Sequence, residues 1–260
     1  MNCKNCSTDL ISESDYCHNC GGKIIRNRLT LKNLFEYFTE TYFNYDNKFL
    51  QTIVSLFKKP EDVVDTFVNG TRKKYIDPVS FLAISFTLSG LYLFFFQNKM
   101  REVMSFSNFN TYQQQEKLNQ AIFNLTFEYN SFLYLIIIPA LAVISWLVFL
   151  DKKYNFTEHV IIYLYSMSFT SIVSSLLSIL WLLLFPKNYM VSITVTFLFM
   201  FGFHFVLLKR LFALTIKQLA VKTLFFLPLF FVFYLASSIA IILLVILTGD
   251  ISFKDLIPQK

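Results

Sequence analysis

The only cysteines of the chain, Cys3, Cys6, Cys17 and Cys20, form two Cys-x-x-Cys pairs with ten residues between them. Two residues between cysteines let one tight turn aim both sulfurs at a common point. Two such turns complete a tetrahedral four-thiolate site with Zn–S bonds of about 2.3 Å. Four protein ligands leave no position for water or substrate, so the expected cofactor is a single structural zinc. In so short a segment, metal binding would supply the folding energy. Gly21 and Gly22 follow the second pair and permit the positive-φ turn that points backbone N–H groups at thiolate sulfur. His18, inside that pair, reads as an exposed spacer and not a fifth ligand. Two disulfides are the alternative chemistry and would require an oxidising compartment.

A second set of candidates lies in or beside apolar sequence. Ionisable groups within a membrane are costly and tend to be functional. His204 stands well inside an apolar stretch, and Glu158-His159 opens another. If folding joins His159 to His204, a polar pocket facing the cytoplasm results; an interface anchor and a histidine hydrogen-bonded across helices account for them equally simply. No nucleophile with a base, Gly-rich phosphate loop or His-Glu-x-x-His arrangement is present, so no enzyme is expected. A membrane enzyme working at Glu158, His159 and His204 is kept as a third reading.

Composition dictates the elements that position these groups. Hydrophobic residues make up 55% of the 260 and charged residues 15%, against about 25% charged in soluble chains. So few charges cannot cover a water-soluble surface, and the expected class is an all-α polytopic membrane protein. A hydrocarbon core of about 30 Å needs roughly 20 helical residues. Five stretches qualify: Val79 to Gln97, Phe132 to Leu150, Val160 to Phe185, Tyr189 to Leu208 and Leu224 to Thr248. Residues 1–30 hold the thiol motif in place of an apolar signal sequence, so insertion through the spans themselves is expected.

Lys and Arg decide the orientation. With the N-terminus inside, the inner segments 1–78, 151–159 and 209–223 carry 11, 2 and 4 of them, and the outer segments 98–131, 186–188 and 249–260 carry 3, 1 and 2. Seventeen against six places the N-terminus in the cytoplasm and the C-terminus outside, which keeps the thiols reduced. The same rule explains the net charge of +6, so nucleic acid is not expected as a partner.

Residues 30–78 read as a cytoplasmic amphipathic helical region. Leu31, Leu34, Phe35, Phe38 and Tyr42 fall at helical spacing behind Thr30, and Phe49, Leu50, Ile53, Val54 and Phe57 repeat the pattern. Pro60 and Glu61-Asp62 open a third helix with Val63, Val64, Phe67 and Val68 as its stripe, and Asn69-Gly70 ends it. These stripes bury against one another and the cytoplasmic ends of the spans, or lie in anionic headgroups. Arg72, Lys73 and Lys74 precede the first span, each worth about 1 kcal/mol beside an anionic leaflet. They anchor and orient the chain, and a lipid-headgroup contact is the sharper reading. Asp77-Pro78 makes the N-cap pair of that span.

Ser168, Ser171, Ser174, Ser175 and Ser178 place small residues mostly on one face of the third span, which reads as close helix packing before a solute path. Pro139 and Pro228 would kink the second and fifth spans. Leu208 to Lys222 reads as a basic amphipathic element along the inner surface.

The two cysteine pairs with Gly21, the stretch Asp46 to Phe57 followed by Lys59-Pro60, and Gly70-Thr71-Arg72-Lys73-Lys74-Tyr75-Ile76-Asp77-Pro78 resemble a family of bacterial membrane proteins catalogued as domain of unknown function 3667. Glu158-His159 is a looser match, and Tyr165 and Met167 stand where further histidines would be expected. The resemblance implies a bacterial cytoplasmic-membrane protein and supplies no activity. The expected organisation is a zinc ribbon over 1–25, the amphipathic region over 30–78, a five-helix bundle over 79–248 and a tail over 249–260. The expected function is a non-enzymatic interaction or regulatory protein with a possible protein partner at the ribbon and the lipid bilayer around its spans; the alternative is a small-molecule or lipid permease. Oligomeric state is not legible.

Overall fold

The computed structural model describes residues 2–11, 14–22, 24, 26, 30, 32, 48–103, 121 and 130–247. The expected helix over Leu31 to Tyr42 and the tail 249–260 fall outside them. The chain divides into two units, Met1–Asn47 and Lys48–Lys260, each taken by itself.

Among its described residues the second unit holds helices and the turns that join them. Helix α1 spans Lys48–Lys58 and α2 spans Pro60–Val68. Helices α3, Pro78–Val103, α4, Asn130–Val148, α5, Phe156–Leu184, α6, Tyr189–Leu211, and α7, Ile216–Leu247, follow. A single 3-10 turn, Pro186–Asn188, joins α5 to α6.

Helix boundaries follow local chemistry. Pro60 occupies the first turn of α2 with Glu61 and Asp62 at the positive end of the helix dipole. Gly70, at φ +91°, closes that helix: its N–H reaches the Phe67 carbonyl at 3.1 Å and Thr71 N–H the Thr66 carbonyl at 2.9 Å, a Schellman ending. Asp77 caps α3 by accepting from Ser80 N–H at 2.9 Å. Asn155 and Glu158 form a reciprocal capping box at the start of α5.

Helix α5 is the hub, packing against α2, α3, α4 and α6. Ser166, Ser168, Ser171 and Ser175 are buried along it. The Ser168 hydroxyl donates to the Leu164 carbonyl at 2.6 Å and Thr170 to the Ser166 carbonyl at 2.9 Å. Ser168 and Thr170 are thus satisfied within their own helix, the Ser166 hydroxyl is buried without a hydrogen bond, and small side chains let α3 and α4 approach closely.

Among the described residues four helices are long and apolar enough to cross a membrane: Pro78–Met100, Phe156–Leu184, Pro186–Leu211 and Ile216–Leu244. They match four of the five expected stretches. The other, Phe132 to Leu150, appears as α4, whose apolar run Leu133–Val148 is shorter. Helices α4 and α7 continue through Pro139 and Pro228.

One expected element is corrected. Leu208 to Lys222 is not a separate surface helix but the last turn of α6, a tight turn, and the first turns of α7. Ala213, at φ +48°, reverses the chain, with Leu214 N–H on the Lys209 carbonyl at 2.8 Å. Thr215 and Gln218 then cap each other's backbone N–H groups and start α7 at once. The Thr-x-x-Gln capping box, legible in sequence, is the signal that overrides amphipathic spacing.

The expected burial is found for Val63 and Val64 of the α2 stripe, but in α1 it falls on Thr52 and Leu56, and of the expected α1 stripe only Phe49 and Ile53 are partly buried. Leu56, Val63 and Val64 are fully buried in one core with Phe81, Tyr165, Phe169 and Leu207. The strip Leu50, Val54 and Phe57 stays exposed.

Candidate functional site

In the first unit the two cysteine turns repeat each other, offset by fourteen positions. Ser7 N–H bonds the Cys3 carbonyl at 2.8 Å and Gly21 N–H the Cys17 carbonyl at 2.9 Å. Cys3 N–H in turn reaches the Thr8 carbonyl and Cys17 N–H the Gly22 carbonyl, both at 2.9 Å. Ser7 and Gly21 take the same left-handed conformation, φ +60° and +67°, so the positive-φ turn expected at Gly21 is present and has a twin at Ser7. A side-chain carbon on Gly22 would come within 3.4 Å of Cys20 Sγ.

The turns face each other. Cys3 Sγ lies 3.6 Å from Cys20 Sγ, and Cys6 Sγ 3.6 Å from Cys17 Sγ. All four sulfurs lie within 4.8 Å of one another. Tetrahedral bonds of about 2.3 Å set ligand sulfurs about 3.8 Å apart, so these residues fit a metal ion. The four are free thiols. Asn19 Nδ2 donates to Thr8 Oγ1 at 2.9 Å and ties one turn to the other. His18 is exposed, as a spacer should be.

The thiols differ in proton affinity. The Thr8 hydroxyl and backbone hold Cys6 down at about 6. The Cys20 and Asn19 backbone N–H groups pull Cys17 down, but burial and the neighbouring Cys6 and Cys20 sulfurs outweigh them and leave it at about 11. Hydrogen bonds from the Gly22 backbone and the Asn5 side chain lower Cys20. The set cannot shed all its protons at neutral pH without a cation to share the charge. Among the described residues the fold is two thiol turns with bridge pairing at Asn2 to Asp9 and at Tyr16, and no strand.

Glu158, His159 and His204 each have their own hydrogen-bond partner. The Glu158 carboxylate accepts from Asn155 N–H at 2.7 Å, which turns it to the helix cap. His159 is fully buried, its Nδ1 3.0 Å from Ser145 Oγ, with the rings of Phe149, Tyr154 and Phe212 around it. His204 stacks on Tyr163 with ring centroids 5.7 Å apart. Its Nδ1 lies 2.8 Å from the Met200 carbonyl, an acceptor, so that nitrogen carries the hydrogen. Nε2 of both histidines is buried without a hydrogen bond.

The three basic residues before α3 also part company. Lys74 donates to Asp62 at 2.7 Å, and Arg72 lies over the Phe67 ring at 5.7 Å. Lys73 is exposed. Hydrogen bonds from Lys74 and then Tyr75 hold the Asp62 carboxyl below its ordinary value.

Sequence reasoning missed the partners of α2's acids and a crevice of about 590 Å³ between α4 and α7, lined by Leu147, Leu150, Phe225, Pro228 and Leu229, where Lys222 pairs with Asp151. Opposite charges 71 positions apart give no local signal.

Fold and site together define a class: a helical protein with four candidate membrane spans and a cysteine tetrad suited to a metal ion. Residues 46–90 match the family described as protein of unknown function (DUF3667), so the resemblance is shown over that segment. The matched segment is α1, α2, the basic stretch and the first half of α3, the part that docks on α5 and α6. No curated protein and no solved structure matches the chain.

Proposed function

We propose that this is a multi-pass protein of the bacterial cytoplasmic membrane that engages a protein partner through a cytoplasmic zinc ribbon and carries out no catalysis. The tetrad carries the reading: four thiols converging on one point suit zinc in a closed, structural site. The same small unit exposes Ile11 and Tyr16, at 65% and 59%, and such side chains favour a docking face. The ribbon's strands, the metal's identity and the partner belong to this proposal. So does a fifth crossing: α4 has 19 residues, about 28 Å at 1.5 Å per residue, close to one hydrocarbon thickness. With it the termini lie on opposite sides, the N-terminus inside as the basic bias requires.

A permease is the second reading. The back-bonded hydroxyls of Ser168 and Thr170 support packing over a solute path.

Purified full-length chain should carry about one zinc, which Cys17→Ser removes. Ile11→Ser with Tyr16→Ser should keep the zinc and lose proteins that co-purify with the wild type from native membranes. Partners retained by that double variant, or solute flux in proteoliposomes, would overturn the interaction reading.

A further inference from the structure

Helix α1 divides lengthwise into three adjacent strips. Thr52 and Leu56 are buried against the bundle. Lys48, Gln51 and Lys58 are exposed along a second, polar strip. Between them runs the strip of Val54 and Phe57, 40% and 57% exposed, with Leu50 one turn earlier. At 100° per residue Phe57 and Val54 fall on an arc between the buried strip and the polar one, Phe57 at its edge toward the core.

The position of that strip is fixed by the spans. Phe57 makes an edge contact, centroids 4.7 Å apart, with Phe169 of the candidate span α5. Arg210, in the last turn of the candidate span α6, donates to the Lys58 carbonyl at 2.8 Å. The strip therefore flanks membrane-crossing helices at their charged end, where lipid is the neighbouring phase.

Cations gather at the same end. Lys58 and Lys59 close α1, and the Lys74–Asp62 bond folds the basic stretch back beside the first turn of α2. Ile76 N–H on Thr52 Oγ1 at 3.2 Å lays that stretch along α1. Asp62 and Glu61 are taken by Lys74 and Arg210. Among the described residues no carboxylate pairs with Lys58, Lys59, Arg72 or Lys73.

We infer that α1 is a lipid-docking helix: its Val54 and Phe57 strip enters the acyl boundary of the adjoining leaflet while Lys58, Lys59 and Lys73 collect anionic phospholipid headgroups. An amphipathic helix so placed gains from buried apolar area and from charge together, and cations near the leaflet that have no carboxylate partner among the described residues suit anionic headgroups. The inference rests on the membrane placement above.

The test uses full-length chain in proteoliposomes, with Val54→Trp, or Phe57→Trp as a second probe, in a Trp146→Phe, Trp181→Phe background. Brominated phosphatidylglycerol is compared with brominated phosphatidylcholine at equal mole fraction. Both should quench the probe, the anionic lipid about twofold more strongly or better, and Lys58→Gln with Lys59→Gln and Lys73→Gln should level the two. No quenching of either probe would overturn the immersion of α1. Equal quenching, or a preference untouched by the three substitutions, would overturn the headgroup selectivity. Wild-type Trp146 and Trp181 report separately: if neither is quenched, the membrane placement itself fails.

Discussion

The Tyr154 phenol donates a 3.0 Å hydrogen bond to the Asp65 carboxylate across 89 positions of sequence. Burial, and then the facing Asp65, pushes the Tyr154 hydroxyl above its ordinary range, so it remains a donor. Asp65 is one of three acids on the nine-residue α2, and each engages a different element. Glu61 lies 3.6 Å from Arg210 at the end of α6, and Asp62 takes Lys74 and Tyr75 ahead of α3. With Val63 and Val64 fully buried on its other face, α2 works as a keystone at one end of the bundle.

The depressed Asp62 carboxyl makes this docking pH-dependent. A lowered folded value means that its contribution is present above the unfolded value of about 3.9 and is lost as pH falls through the folded one. The group is 40% exposed, so solvent screening keeps the contribution to about 0.5–1 kcal/mol. Asp62→Asn should lower the thermal midpoint of the full chain in detergent at pH 7, and the gap to wild type should close toward pH 3. A gap independent of pH would count against the pairing.

Arg210 has two tasks, since it also donates to the Lys58 carbonyl at the end of α1. One Glu61 oxygen is buried without any hydrogen bond, so the cation beside it is its main compensation. Arg210→Gln should therefore cost about 1–3 kcal/mol. Adding Glu61→Gln should return part of that loss. Strictly additive losses in the double-mutant cycle would show the pair to be uncoupled.

Core and lipid-facing positions of α1 should separate cleanly. Leu56 is fully buried beside Val63 and Val64, and Leu56→Ala should cost about 2–5 kcal/mol. Val54→Ala, on the exposed strip, should stay within about 0.5 kcal/mol. Denaturant unfolding of the full chain measures both, and equal losses would reassign the strip to the core.

What was legible in the sequence was what spacing and local chemistry encode. Cys-x-x-Cys with Gly21 fixes a turn within a few residues, and the structure repeats it at Ser7. Pro60, Asn69-Gly70 and Asp77-Pro78 mark helix ends by backbone geometry alone, and all three stand where expected. Apolar runs located four spans. Partner choice was not legible: Asp65 to Tyr154, Ser145 to His159 and Asp151 to Lys222 depend on which helices adjoin. The capping role of Glu158 was not read either, although a carboxylate three residues after Asn155 is a local signal for it.

The crossing number turns on α4. Its termini are joined to α3 and α5 by segments of unlike charge, and Lys152 and Lys153 follow it directly. Arg72, Lys73 and Lys74 precede α3, so the basic bias sets both ends on one side. On the five-crossing reading proposed above, an even number of crossings separates them, with α4 crossing back after α3. A reporter active only in the periplasm, fused after Lys260, should score positive, while one fused before Met1 should score negative. Matching signals from the two fusions would mean four crossings, with α4 lying against the bundle instead of through the bilayer.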